Sequence, residues 1–125
     1  MRSLALTLLL LATPTLAGEP SVINLSCDGE LITGEEQKEP VKKVGLIVNF
    51  NQHTVSGFPV IARIDNMSDA MVEFSGSKID AHATSSIMGT IDRVTGAAQV
   101  WTLVSASDGK IIQSNSWDLV CKVTD

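Results

Sequence analysis

The chain has 125 residues, with 9 basic and 14 acidic side chains, two cysteines, two tryptophans, three phenylalanines and no tyrosine. A formal charge of −5 disfavours nucleic acid and anionic lipid as partners, because both are held by basic patches. So few aromatic residues cannot supply the interfacial girdles of an outer-membrane barrel.

The N-terminus reads as an export signal. Met1-Arg2-Ser3 is a short charged n-region, Leu4 to Leu11 an apolar h-region, and Thr15-Leu16-Ala17 carries small residues before a cleavage site at Gly18. The apolar run is shorter than the roughly 20 residues that span a bilayer. Residues 1–17 are therefore expected to be a signal peptide and residues 18–125 a single β domain, periplasmic or secreted. Losing Arg2 leaves 8 basic and 14 acidic groups, a charge of −6.

Apolar residues then recur with a period of two, which predicts strands. The first strand carries Leu25-Ser26-Cys27-Asp28-Gly29, whose last three residues also have turn character. After the charged stretch Glu35-Glu36-Gln37-Lys38-Glu39, read as a solvated loop, come alternating runs at Val44–Phe50, Val60–Ile64 and Val72–Phe74. Asn51-Gln52-His53 and Asp65-Asn66-Met67-Ser68-Asp69 are the turns between them. Ile87, Gly89 and Ile91 alternate on the next strand, where a mid-strand glycine signals a bulge or a close approach. Val94-Thr95-Gly96 and Ser107-Asp108-Gly109 read as hairpin loops ending in a left-handed glycine. Strands near 86–94, 97–105 and 110–123 thus form an antiparallel meander. Its middle strand, Ala97 to Val104, is apolar on both faces. Either a loop or a second subunit covers the outer face, or Trp101 is exposed for binding.

Cys27 falls on the first strand and Cys121 on the last. Two cysteines in an exported domain are expected to be oxidised together, joining the chain's two ends. Seven or eight strands with short loops and linked ends favour a closed antiparallel barrel, with a two-sheet sandwich as the alternative.

Chemistry is sparse. Phe74-Ser75-Gly76-Ser77 is no nucleophile elbow, and His53 and His82 have no motif partner. The oxygen-rich turn at Asp65–Asp69 lacks the EF-hand spacing and is accounted for by Asx-type turns. No metal, cofactor or catalytic residue is expected. At the hairpin tip, Asp92 and Arg93 could present a charged pair to a partner protein, or Asp92 could cap the turn while Arg93 pairs with an acidic neighbour.

Asn24-Leu25-Ser26-Cys27-Asp28-Gly29, Val55-Ser56-Gly57-Phe58, Ile87-Met88-Gly89-Thr90-Ile91-Asp92-Arg93-Val94-Thr95-Gly96 and Leu119-Val120-Cys121-Lys122 together resemble a group of small exported proteins of rhizobial alphaproteobacteria. That resemblance implies a periplasmic location and the disulfide, and it carries over no catalytic or binding residue. Leu25-Ser26-Cys27-Asp28-Gly29 is also similar to the opening of periplasmic C-type lysozyme inhibitors, although their Ser-Gly-x-x-Tyr motif is not reproduced. The expected role is a non-enzymatic protein-binding or inhibitory factor of the envelope, carried by Asp92, Arg93 and Trp101. A carrier of a small apolar ligand inside the barrel is the other class.

Overall fold

Alternation along the chain is resolved into eight antiparallel strands in the computed structural model, which describes residues 21–33 and 37–124. The expected signal peptide lies outside the described residues. The strands are β1 (Val22–Thr33), β2 (Gln37–Asn49), β3 (Thr54–Ser56), β4 (Ala62–Met67), β5 (Met71–Ile79), β6 (Ala83–Asp92), β7 (Ala97–Ala106) and β8 (Ile111–Thr124). Each pairs with the next, and β8 returns to β1, so the sheet closes as a barrel rather than splitting into a sandwich. Closure leaves no lateral edge to template aggregation. Among the described residues no helix is long and apolar enough to cross a membrane.

Turns 50–53, 68–70 and 93–96 gather at one end, called lower here; turns 80–82 and 107–110 lie at the upper end. The inward residues of the lower half fill the barrel. Leu46, Val48, Val55, Val72, Phe74, Ile91, Val100 and Leu119 are all fully buried, each burial contributing roughly 1.5–3 kcal/mol. Phe74 explains Gly89. A Cβ at Gly89 would stand 2.5 Å from Phe74 Cζ and 2.8 Å from the Gln99 carbonyl oxygen, so glycine leaves the ring its place. Cys27 and Cys121 face each other across the β1–β8 seam and are disulfide-bonded, with Cα atoms 4.0 Å apart. Such a bond is compatible with an oxidising compartment.

Three local expectations change. Cys27-Asp28-Gly29 is no turn: it lies within β1, where Cys27 faces Val44 but Gly29 faces Val41. The extra residue on β2 makes a bulge, with Lys43 at φ 57° and its N–H donating to the Asp28 carboxylate at 2.8 Å. The charged stretch from Gln37 onward is strand, because β1 residues 29–33 supply its backbone partners. The strand expected at Val60–Ile64 starts only at Ala62 and runs on to Met67, so Asp65-Asn66-Met67, expected as part of a turn, are strand paired with β5. Pro59 has no N–H for a ladder, and Gly57 turns the chain at φ 133°. Segment 57–61 therefore folds beside the upper half, with Val60 buried in the core.

Candidate functional site

The outer face of β5 to β8 carries a hollow of about 660 Å³. Its origin lies in side-chain size. Outward positions on β5 and β6 hold Ser75, Ser77 and Ser86, which form a low floor. Ile61 and Arg63 rise on one side, Met88, Trp101 and Leu103 on the other. Antiparallel register places Arg63, Ser75, Met88, Trp101 and Ser116 in one cross-strand row. Trp101 is 44 %, Met88 57 % and Ile61 66 % exposed. The described chain therefore leaves this face largely uncovered, while Ala98 and Val100 of the same strand point into the core. That separation accounts for a strand apolar on both sides.

Arg93 stands elsewhere. It is only 5 % exposed and turned into the lower end of the barrel instead of being presented at the hairpin tip. Its Nη1 donates to the Ser68 carbonyl at 2.7 Å, and its guanidinium lies 5.3 Å from the centroid of the Phe50 ring. The backbone N–H of Arg93 donates to Ala70. One side chain thereby ties together three lower turns. Asp92 caps its own hairpin: its carboxylate accepts the N–H groups of Val94 at 2.8 Å and Thr95 at 3.0 Å. Those backbone donors, Thr95 first, hold the Asp92 carboxyl below its ordinary range. Asp92 and Arg93 are thus not a displayed pair. Trp101 pairs with Met88, four residues up β6 from Asp92, about 13 Å away by strand rise. The three residues expected to act together are not brought together, and of them only Trp101 lines the groove.

A second hollow of about 250 Å³ lies inside the upper end, where Phe58 and Val60 meet Thr102, Gln113, Asn115 and Trp117. Phe58 packs edge-on against Trp117, with ring centroids 5.1 Å apart. Below it the interior is filled by the core side chains named above.

The remaining candidates have local roles or stand apart. His53 occupies the lower 50–53 turn at φ 58°, and His82 the upper 80–82 turn, so the barrel's length separates them. In the 68–70 turn the Ser68 hydroxyl accepts the N–H groups of Ala70 and Met71. Asp65 accepts a hydrogen bond from the Ser75 hydroxyl and faces Arg63 Nε at 3.8 Å. Among the described residues no three or more His, Cys, Asp or Glu side chains form a group that could hold a metal ion.

Met88, Leu103, Ile61, Arg63 and the serine floor were missed as site residues. A signal for the first two existed. With Ile87 and Ile91 inward, alternation turns Met88 outward on β6, and the loop, which spans 93–96 rather than the three residues expected, brings it opposite Trp101. Nothing in the local sequence brings Ile61 to the same face, because that depends on the fold of segment 57–61. Compared with protein families, curated proteins and solved structures, the chain matches none.

Proposed function

We propose that this chain is an exported, non-enzymatic binding protein of the cell envelope, and that its outer β5–β8 face holds a protein partner. The observation that carries this reading is the exposed group of Trp101, Met88, Ile61 and Arg63 around one groove. Trp, Met and Arg are the residue types enriched where proteins meet, and Trp is the commonest anchor. Contiguous exposed apolar surface of this kind has no stabilising role in a lone barrel. The chain's negative charge speeds encounter with a basic partner, at a rate that falls with added salt. Export is supported by the N-terminal pattern and by the disulfide.

Native mass spectrometry of the protein, gently purified from the envelope fraction of its own host, tests the proposal. A stoichiometric protein adduct that is lost on Trp101→Ser and weakened by salt supports it. An unliganded chain, or an adduct unaffected by Trp101→Ser, overturns it.

A further inference from the structure

The outer groove is bordered by acid on its lower side. One row below Met88 and Trp101, antiparallel register lines up Glu73, Thr90, Gln99 and Asp118 across β5 to β8. Glu73 and Asp118 are both exposed, and among the described residues neither is in an ion pair. Each stands diagonal to an exposed apolar side chain. Glu73 is the outward residue next to Ser75, which pairs with Met88, and Asp118 the one next to Ser116, which pairs with Trp101. Diagonal neighbours on one sheet face are about 7–8 Å apart, so one long basic side chain can lay its stem on the apolar residue and its charge at the carboxylate. Arg63, the base in the groove's own lining, already lies beside Asp65 at 3.8 Å. Lys78 and Lys122 lie further along β5 and β8, in opposite directions from the two carboxylates.

We infer, resting on the outer face as the partner-binding surface, that the partner presents a cationic amphipathic segment. An apolar side chain enters the hollow, and two flanking lysine or arginine side chains meet Glu73 and Asp118. Spacing sets the form of that segment. Three inter-strand steps separate β5 from β8, about 14 Å in all. Basic residues at i and i+4 of an extended segment are about 13 Å apart, and the residue at i+2 points the same way. Thr90 and Gln99 between the two carboxylates are uncharged, so the central apolar side chain passes no unpaired charge on its way to Met88 and Trp101. A second copy of this chain is the wrong occupant. A two-fold contact sets one face against itself, here carboxylates against carboxylates on chains that are each net negative. An anionic segment meets the same repulsion.

The probe is acetyl-Lys-Ser-Leu-Ser-Lys-amide, with acetyl-Gln-Ser-Leu-Ser-Gln-amide as its uncharged twin, titrated into the disulfide-bonded protein at low salt. The readout is the indole N–H resonance of Trp101, with Trp117 as internal control. The lysine peptide is expected to shift Trp101 saturably and to bind about tenfold more tightly than its twin, the gain from two exposed charge pairs. Glu73→Gln and Asp118→Asn should each weaken it about threefold. Glu39→Gln removes the same charge from β2, across the barrel from β6, and should leave binding nearly unchanged. Equal binding of the two peptides overturns the inference and leaves an uncharged groove as the partner site. Equal weakening by Glu39→Gln also overturns it, since net charge alone then draws the peptide. So does a lysine peptide that shifts neither tryptophan, or both alike; the host adduct and its loss on Trp101→Ser then decide the outer-face reading separately. The peptide comparison on the wild-type protein depends on no variant's folding.

Discussion

Cys27 and Cys121 are 94 residues apart in sequence yet directly opposed across the strand pair that closes the barrel, so cutting their bond measures what closure of the chain contributes. In the chain-entropy account a loop of that length stabilises the fold by about 4.7 kcal/mol, an upper figure because native strain and residual denatured structure subtract from it. Set against a total of roughly 5–15 kcal/mol for a domain of this size, that is a large share. The test is to unfold the protein in urea, reduce it, and refold it with reductant present. Urea curves of oxidised and reduced protein are then compared by tryptophan fluorescence and circular dichroism. Taking a urea slope of about 1–1.5 kcal/mol/M, the midpoint should fall by roughly 3–5 M. The slope should rise, because the reduced denatured chain exposes more surface. Pairing of Asn24–Thr33 with Asn115–Thr124 does not need the sulfur bridge, so the reduced protein should keep its β-sheet signal in the absence of urea. A midpoint shift below roughly 1 M would refute the reasoning, since the bond would then add little to a seam that holds by itself.

Gly89→Ala should cost about 1–3 kcal/mol by overpacking, since the new methyl meets the Phe74 ring at 2.5 Å. Adding Phe74→Leu should relieve part of that cost, giving a coupling that a double-mutant cycle in urea reads directly. Arg93→Ala removes a charge-assisted hydrogen bond to Ser68 and the stack on Phe50 and should destabilise the protein by about 2–4 kcal/mol. Arg93→Lys should recover only part, because an ammonium cannot reproduce the planar contact. Asp80 and Asp92 have carboxyls held below their ordinary 3.8, mainly by the backbone N–H groups of His82 and Thr95 respectively. A depressed folded value means stability fully present above about 3.8 and lost as pH falls through the folded values. The acid limb of a stability–pH profile should therefore become shallower in Asp80→Ala/Asp92→Ala. Trp101→Ser, on an exposed face, should change stability by less than about 1 kcal/mol, separating its effect on binding from any effect on folding.

How much of this was legible depended on whether the determining contact was local. Gly96 at φ 84° and Gly109 at φ 91° stand where the hairpin loops required a left-handed residue, and with those loops the β6–β7–β8 meander followed. Oxidation of the two cysteines and closure of the sheet were likewise within reach, because strand period and cysteine count are properties of the chain itself. Asp28–Gly29 was not legible, because its composition suits a turn as well as a bulge. What decides between them is Lys43 on β2 and the Asp118 carbonyl on β8, which a Cβ at Gly29 would approach to 2.0 Å. The burial of Arg93 was not legible either, because a charged residue beside a turn is ordinarily solvated. Its burial depends on Phe50 and Ser68, which are distant in sequence and meet it only once the lower turns converge. The groove lay in between: Trp101 was visible as an anomaly, whereas Ile61 and Arg63 reached it through a bend that local periodicity does not encode.

The most direct test of a partner-binding outer face is site-specific photo-crosslinking in the native host. A photoreactive benzoylphenylalanine is placed at Met88 in the groove, and at exposed Ile47 on β2 as the control wall. A discrete crosslinked protein from position 88, absent from position 47 and abolished by Trp101→Ser, is the result this account predicts. Crosslinks of equal yield from both positions, or none from position 88, would contradict it.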